Sequence, residues 1–518
     1  MGGTARHRPA VDVGQPPSRH RRRRRRAAAA HPPRRPPRSG SPVSTVHRRI
    51  TLAASVVGAA VVALDGTVLT VVQPGLRTDL HASFAQVQWT STGYLIAVAA
   101  LLVLAGRFGD RHGHRRVFAV GILGFGATSA GIGLASGIGP VIALRVAQGA
   151  CGALLQPATL GMLRAAFPPD RLGMPLALRT SAIGLAAAAG PLVGGALAVR
   201  HGWRAVFFLN VPVTLVIGVL VLAVREPAAR TAAPGGHRPD TAPDLPGAVL
   251  LGTAVGCLVY ALTWMSGDGG AGASVTGLGA AVLAGHLFVR RQRSAADPLV
   301  PPGVLAAPGV AAGLGVLTAA SAALFGSLFT GVYYLQDVLG LDPLRCALVA
   351  LPGPVAMVVA APLSVRPARR YGPRRTVAGA MILLALGDLL LSRLGAAPGP
   401  VLIRTAFLLV GAGFGVVMVV ATDVVVRQVP ERHAGVAGGL QQTAMNIGPA
   451  LGVAVATALL ALGAPGGPAS GSRQALSHAV PPALTVLAVV AAAGALGARG
   501  LPGPAAAAKR HRTVRVRR

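Results

Sequence analysis

Three carboxylic acids lie inside long apolar segments of the sequence, where an ionisable group could do chemical work. They are Asp65, Asp388 and Asp423, and they stand out because the chain of 518 residues has 15 acidic residues in all. A charged group in hydrocarbon is costly, so it usually faces a cavity or a partner of opposite charge. Such a carboxyl can bind a proton, release it, or exchange it for a cation.

Asp65 has a candidate partner in Arg145, which lies in another apolar segment. At 1.5 Å per helical residue, both side chains lie ~20 Å from the same membrane face. We expect them to pair when the cavity is empty, and protonation of Asp65 or a cationic solute would break the pair. A purely structural ion pair is the alternative.

The other two acids have arginines nearer a membrane surface. Asp388 lies five residues before Arg393, so a gating or proton-linked role competes with a salt bridge at the rim. Asp423 lies four residues before Arg427, and an i,i+4 pair at the headgroup level explains it.

A short basic turn at residues 106–116 separates two apolar segments, and it holds one acid among several arginines and glycines. Asp110 is predicted to lie near helix N-termini and arginines of neighbouring segments, where it would latch one side of the membrane shut. A topological anchor that acts through positive charge alone is the alternative. The proposed gating residues are Gly106, Gly109, Asp110, Arg111, Gly113, Arg115 and Arg116.

A second glycine-rich stretch lies within the fifth apolar segment. Its glycines and proline thin and bend a helix, so two helices could approach closely and hinge at one point. Plain tight packing is the alternative. The residues are Gly190, Pro191, Gly194 and Gly195.

The sequence lacks the motifs of most enzymes. It has no phosphate-binding Gly-x-x-x-x-Gly-Lys loop, no His-Glu-x-x-His run and no nucleophile elbow. Cys151, Cys257 and Cys346 have neither disulfide nor metal spacing. We therefore predict no enzymatic activity, no cofactor and no metal, and an ion gradient as the energy source for any uphill transport.

The composition is that of a membrane protein, with 52% hydrophobic residues, 12% charged residues and a mean hydropathy of +0.59. A hydropathy window predicts fourteen segments long enough to cross a bilayer. They are residues 51–73, 88–105, 117–134, 139–163, 178–199, 205–224, 245–265, 273–289, 310–335, 346–364, 377–396, 402–424, 440–462 and 480–497.

Arginines concentrate in the tails and in the loops after even-numbered segments, and the loop after the fourth segment is predicted to carry Arg164, Arg171 and Arg179. The positive-inside rule then predicts a multi-pass protein of the cell membrane with both termini in the cytoplasm. The tails, residues 1–48 and 499–518, are predicted to be disordered and to contact anionic lipid headgroups. They lack interleaved aromatic residues, so we expect no nucleic-acid binding.

A faint internal repeat divides the chain, because residues 368–375 form a degraded copy of the 106–116 turn. Repeated halves around a central site are common in secondary transporters. The predicted domains are an N-terminal six-helix bundle at 49–226, a linker with two inserted helices at 227–300, and a C-terminal six-helix bundle at 301–498.

The 106–116 turn resembles the loop between spans 2 and 3 of the major facilitator superfamily, whose pattern is Gly-x-Leu-x-Asp-Arg-x-Gly-Arg-Arg. Further stretches resemble one branch of that family, the fourteen-span drug:proton antiporters of the EmrB/QacA group. These stretches are residues 64–74, Trp89 with Tyr94, residues 144–149 with Pro157, the antiporter motif at 190–195, and residues 203–212.

The resemblance implies an all-α integral membrane protein with the major facilitator fold and fourteen transmembrane helices. It also implies a proton-coupled antiporter that exports drugs by alternating access. The residues expected to act in proton coupling or substrate binding are Asp65, Arg145, Gln148 and Asp388. A metabolite exporter or uptake symporter of the same superfamily is the alternative. We expect a small-molecule substrate, protons and the lipid bilayer as partners, and a monomer.

The sequence departs from that branch in ways that bear on the substrate. Thr70 replaces its usual asparagine, and Ala186 a usual glycine. Some relatives that export organic cations carry acids in span 13, where this chain has Gln441, Gln442 and Asn446. A neutral or anionic substrate therefore fits the sequence as readily as a cation.

Overall fold

Each of the fourteen predicted segments coincides with a helix of the computed structural model, which describes residues 2–3, 45–223, 244–264, 271–295, 298–341, 343–394, 399–463 and 473–503. No strand occurs among these residues. The helices are α1 Thr45–Asp79, α2 Phe84–His112, α3 His114–Leu134, α4 Ile138–Ala166, α5 Gly173–His201, α6 Trp203–Ala223, α7 Leu245–Trp264, α8 Ala271–Ser294, α9 Val310–Tyr333, α10 in the two pieces Pro343–Ala350 and Pro352–Leu363, α11 Val365–Ser392, α12 Pro400–Gln428, α13 Ala434–Gly463 and α14 Arg473–Gly497.

Within the described residues, thirteen helices are long and apolar enough to cross a bilayer. The exception is the predicted span 273–289. It lies within α8, a helix of 24 residues whose last turn carries Arg291 and Arg293 and whose composition is less apolar. At 1.5 Å per residue, α8 is still long enough to span the ~30 Å hydrocarbon core.

The predicted tails fall mostly outside the described residues. α1 begins at Thr45, within the tail predicted at 1–48, and a short 3₁₀ turn over Ala498–Gly500 follows α14. The domain limits drawn from the sequence stay predictions.

Two glycines give the repeated basic turns the same backbone shape. Gly113, between α2 and α3, has φ 92°, and Gly372, within α11, has φ 82°. A side chain at either position would be strained, because positive φ is a region that L-residues rarely adopt. The degraded sequence repeat therefore corresponds to a repeated sharp bend.

Helix contacts repeat between the two halves of the chain. In the first half α1 packs on α5, α2 on α4 and α3 on α6. In the second half the same pattern recurs eight helices later, with α9 on α13, α10 on α12 and α11 on α14. The halves meet where α2 packs on α13 and α5 packs on α10. Two six-helix bundles related in this way are typical of parallel repeats in transporters.

The two inserted helices, α7 and α8, pack on each other, and α7 also rests on α2. Asp244 ties them together, since it accepts hydrogen bonds from the Gly247 amide at 3.0 Å, from Arg291 Nε at 2.6 Å and from Gln292 Nε2 at 3.0 Å. Burial alone would raise the pKa of Asp244, but these donors outweigh it and hold the pKa below its ordinary value.

Candidate functional site

Asp65 and Arg145 form a buried ion pair between α1 and α4. Arg145 Nη1 donates to Asp65 Oδ2 at 2.7 Å, and the two residues are 1% and 4% exposed. Arg145 Nε also donates to the backbone carbonyl of Thr90 in α2 at 3.1 Å. The pairing of Asp65 with Arg145, predicted from their matched depth, is thus present in the structure. Whether the pair exchanges protons stays a prediction.

Polar side chains from two further helices complete the site around Asp65. Gln148, one turn after Arg145, accepts a short hydrogen bond from Arg145 Nη1 and donates to Ser129 Oγ in α3 at 2.7 Å. Gln148 Nε2 and Asn210 Nδ2 of α6 both face Asp65 Oδ1, at 3.4 and 3.3 Å. Gln148 was predicted as part of the site, whereas Ser129 and Asn210 were not predicted to contact Asp65.

Tyr94 separates this cluster from a large cavity. The guanidinium carbon of Arg145 lies 4.4 Å from the centroid of the Tyr94 ring, which is a cation–π contact. Tyr94 lines the cavity, whereas Asp65 and Arg145 do not. The Tyr94 hydroxyl is buried without a hydrogen-bond partner among the described residues. The Tyr94 ring therefore contacts the ion pair on one side and the cavity on the other.

The cavity has a volume of about 540 Å³ and lies between the two halves, with lining residues from α1, α2, α4 and α5 and from α9, α10, α12 and α13. Most of the lining is aliphatic, aromatic or methionine, and methionine adapts well to irregular shapes. The polar exceptions are Thr67, Gln156, Arg179, Gln442 and Asn446, together with Tyr94. A mostly apolar chamber with a few polar groups is the usual form of a small-molecule site.

Asp388 lies in the second half, on α11, and is fully buried. Ser327 Oγ on α9 donates to Asp388 Oδ1 at 2.7 Å, and Oδ2 has no partner among the described residues. The predicted alternative, a rim salt bridge with Arg393, is wrong, because Asp388 Oδ1 accepts from Ser327, Oδ2 has no partner among the described residues, and Arg393 is exposed. Asp423 pairs with Arg427 at 2.6 Å, as the i,i+4 spacing indicated.

Asp110 lies at the N-terminus of α13, across the boundary between the halves. Its carboxylate accepts hydrogen bonds from the Gly435 amide at 2.7 Å and the Val436 amide at 3.1 Å. A carboxylate is favourable there because a helix N-terminus carries positive partial charge. His114 Nε2, from the first turn of α3, lies 3.3 Å from Asp110 Oδ1.

The other residues of the turn have separate positions. Arg115 donates to the carbonyls of Val221 and Leu222 at the end of α6, at 2.6 and 2.9 Å. Arg111 and Arg116 are exposed. Gly106 lies so close to the backbone of Gly435 that a side chain would collide with it, and a side chain on Gly109 would meet the His114 ring.

The predicted antiporter motif lies against α1, next to Asp65. A methyl group on Gly190 would meet Thr67 Cβ at 2.9 Å, and one on Gly194 would meet Val68 Cγ1 at 2.8 Å. Pro191 and Gly195 lie in the same helix, α5. The motif therefore brings α5 and α1 into close contact one turn after the ionisable site.

The structure corrects one assignment. Arg179, predicted to belong to a basic loop, lies in α5, is 3% exposed and lines the cavity. The predicted segment 178–199 already contained Arg179, and the count of loop arginines misplaced it because a charged residue at the start of an apolar segment can belong to the loop or to the helix.

Two repeated helical bundles around a central cavity, with a buried ion pair beside it, define a secondary membrane transporter. Residues 55–453 match the family model of the Major Facilitator Superfamily, and the chain belongs to that family.

Relatives and solved structures agree with this family. The chain is 41% identical over 412 residues to the tetracenomycin C resistance and export protein of Streptomyces glaucescens, covering 79% of this chain and 76% of that protein. It is 31% identical over 407 residues to the multidrug efflux pump LfrA of Mycolicibacterium smegmatis, covering 78% and 79%. The crystal structure of a human organic anion transporter has the same fold, with a TM-score of 0.61, 15% identity and coverage of 87% of this chain and 99% of that chain.

Proposed function

We propose that this chain is a proton-coupled antiporter that exports drugs or antibiotics across the cell membrane by alternating access. Within the superfamily we place it in the fourteen-span drug:proton group, as a monomer with its basic loops and both tails in the cytoplasm. The tails would contact anionic lipid headgroups. The observation that carries the proposal is the buried Asp65–Arg145 pair behind the cavity. The similar proteins include resistance, export and efflux proteins, which supports export of drugs.

The ion pair supplies the proton-binding step. In the ionised state Asp65 Oδ2 accepts from Arg145, while Gln148 and Asn210 face Oδ1. A proton on Oδ2 removes the charge that holds the guanidinium, and Arg145 keeps the Thr90 carbonyl, Gln148 and the Tyr94 ring as partners. Protonation therefore removes the ion pair between α1 and α4, while Arg145 keeps its other partners.

Substrate binding is linked to this step through Tyr94, whose ring lies between Arg145 and the cavity. A compound that packs on the ring from the cavity side changes the position of the guanidinium. In the proposed cycle, drug binding from the cytoplasm favours the ionised pair and releases the proton. Proton uptake from outside, after the drug has left, resets the protein.

Asp388 is the proposed second proton-binding group. It has one hydrogen bond, from Ser327, and no cationic partner among the described residues. An isolated carboxylate is very costly in a low-dielectric interior, so the neutral acid is the form that this site accommodates. Gain and loss of its charge would accompany movement of α11 against α9.

The experiment is dye and antibiotic efflux in a pump-deficient bacterial host. We expect the intact chain to export a compound in a way that collapses when the proton gradient is abolished. Asp65→Asn should lose this efflux at equal membrane abundance. Asp423→Asn is the matched control, because Asp423 already pairs with Arg427 outside the cavity, and it should keep most of the efflux.

Two outcomes would contradict the proposal. Efflux unchanged by Asp65→Asn would place proton coupling elsewhere. Gradient-dependent accumulation of a solute in the cells, instead of depletion, would favour the uptake symporter.

A further inference from the structure

Arg179 is a buried arginine that the proposed proton-coupling mechanism does not use. It lies within α5, is 3% exposed and faces the cavity between the two halves. It lies six residues after the start of α5, ~9 Å along the helix, so it belongs to the end of the cavity nearest the basic turns.

No described residue neutralises this arginine. Its Nε is buried without an acceptor, and no carboxylate among the described residues forms an ion pair with it. Arg145, which is equally buried, has Asp65 at 2.7 Å. Burying an uncompensated charge is strongly unfavourable. A chamber that takes up ligands is a place where the missing charge can come from the ligand.

The rest of the lining fits a ligand with an acidic head and an aromatic body. Gln442 donates a short hydrogen bond to Gln156, and Gln442 Oε1 has no partner among the described residues. Phe325, Phe407 and Phe414 line the chamber together with aliphatic and methionine side chains, and no acidic residue is part of the described lining. The charge balance of the cavity is therefore positive.

We propose that Arg179 binds the ionised acidic group of an aromatic anion, and that this anion is the class of compound the protein exports. The inference rests on the proposed function, since it takes the cavity as the substrate site. A guanidinium presents two parallel N–H donors to a carboxylate or sulfonate, which gives both strength and direction. The aromatic body packs on the phenylalanines, and the glutamine amides bind remaining polar groups.

The test uses two dyes with the same xanthene skeleton and opposite charge, fluorescein and rhodamine 123. Their binding to the full chain in lipid nanodiscs is followed by fluorescence anisotropy at pH 8, where fluorescein is anionic. We expect fluorescein to bind at least about tenfold more tightly than rhodamine 123, which corresponds to ~1.4 kcal/mol. Arg179→Gln should remove this preference, and Arg179→Lys should retain part of it.

Arg200→Gln is the matched control, because Arg200 is an exposed arginine at the other end of the same helix. It should leave both affinities unchanged. The proposal is overturned if rhodamine 123 binds as tightly as fluorescein, if Arg179→Gln leaves the preference intact, or if neither dye binds. Loss of fluorescein binding in chloride-containing buffer would assign the site to an inorganic anion and also overturn it.

A stability measurement covers the case of a variant that folds poorly. If Arg179 awaits an anionic ligand, Arg179→Met relieves an unpaired buried charge, and the ligand-free protein should unfold at a higher temperature. Arg145→Met should lower the unfolding temperature, because it leaves the Asp65 carboxylate buried without its positive partner. A lower unfolding temperature for Arg179→Met would make Arg179 a structural residue.

The two proposals can fail separately. If fluorescein does not bind but the protein exports a cationic dye in a gradient-dependent way, the proposed role of Arg179 is rejected and the proposed antiport is supported. If fluorescein binds through Arg179 but no solute is transported in response to a proton gradient, proton coupling is rejected and the anion site is supported.

Discussion

The carboxylate of Asp65 faces three donors, of which Arg145 alone carries a charge. Arg145 Nη1 lies at 2.7 Å, whereas the amides of Gln148 and Asn210 lie at 3.4 and 3.3 Å. All three hydrogen bonds end on the carboxylate, but only Arg145 adds the attraction of an opposite charge, which is strong at this distance in a low-dielectric interior. The ionised state of Asp65 therefore depends on Arg145, and the amides orient the carboxylate for this partner.

A double-mutant cycle tests this dependence. Asp65→Asn leaves Arg145 buried without its counter-charge, so we expect the free energy of unfolding to fall by about 3–5 kcal/mol. Arg145→Gln should cost a similar amount, because it strands the carboxylate. The double variant should cost clearly less than the sum, since both charges are then absent. Unfolding of the four purified proteins in one detergent gives the cycle, and additive losses would show that the two residues are not coupled.

The sequence could predict the charged pair but not the residues around it. Asp65 and Arg145 are rare charges at matched depth, and depth follows from helical rise alone. Ser129 and Asn210 come from α3 and α6, and their contacts depend on how those helices rotate against α1. Nothing in the spacing of neutral polar residues within an apolar helix fixes that rotation. Asn210 lies in the stretch 203–212 that resembles the family, but the resemblance does not indicate its contact with Asp65.

At the scale of helices, α5 presents a small-residue face to α1. Gly190 and Gly194 are one turn apart, and they lie against Thr67 and Val68. Because helices in lipid gain no hydrophobic stabilisation from each other, close backbone approach supplies much of their packing energy. This contact lies just after Asp65, so it fixes where the carboxylate stands relative to α4.

Gly190→Ala is expected to push α1 away from α5 and to destabilise the protein by about 1–3 kcal/mol, as overpacking usually does. Proton-coupled efflux should fall further than abundance does, since Asp65 moves with α1. Gly379→Ala is the control, because Gly379 is an exposed glycine in α11 with open space around it. There, alanine should stabilise the helix by up to about 1 kcal/mol. Unfolding temperatures and efflux rates of the two variants check these expectations. Equal effects of Gly190→Ala and Gly379→Ala would show that the contact between α5 and α1 has no special role.

Helix positions were predictable because the length of an apolar segment is a strong signal, but irregularities within the helices were not. The predicted span 346–364 is broken at Leu351, where Pro352 begins a new helix. The predicted span 310–335 ends in a π-helical turn over Tyr334–Val338. Proline explains the first break, since it removes a backbone donor and clashes with the preceding turn. The π-helical turn has no such local signal, and its side chains pack into the core of the second half.

At the scale of the molecule, the two halves are joined on the side that carries the basic turns. Asp110 accepts from the first amides of α13, Arg164 Nη2 donates to the Val429 carbonyl at 2.7 Å, and Arg369 Nη2 donates to the Asp170 carbonyl at 2.6 Å. Each of these bonds links one half to the other. The structure is therefore closed on the basic side, and this side must open for the cavity to receive a compound from there.

Asp110→Ala removes two charge-assisted hydrogen bonds from this closed side. Each is worth roughly 1.5–3 kcal/mol, so the equilibrium should shift toward the state open on the basic side by about tenfold or more. Leu160→Cys, in a background without the three natural cysteines, reports the change, because Leu160 is fully buried in a cluster between the halves. Maleimide labelling of Cys-substituted Leu160 should be faster by a similar factor. Unchanged labelling would show that Asp110 does not hold the halves together.

The measurement that tests the account most directly is transport by the purified protein in proteoliposomes, using the compound that cells export best. The intact chain should accumulate that compound against its gradient when a pH gradient is imposed, and should also exchange it without one. Asp65→Asn should keep the exchange and lose the gradient-driven accumulation, because the cavity remains while the proton-binding carboxylate is gone. Gradient-driven accumulation by the Asp65→Asn variant at the rate of the intact chain would contradict proton coupling through the Asp65–Arg145 pair.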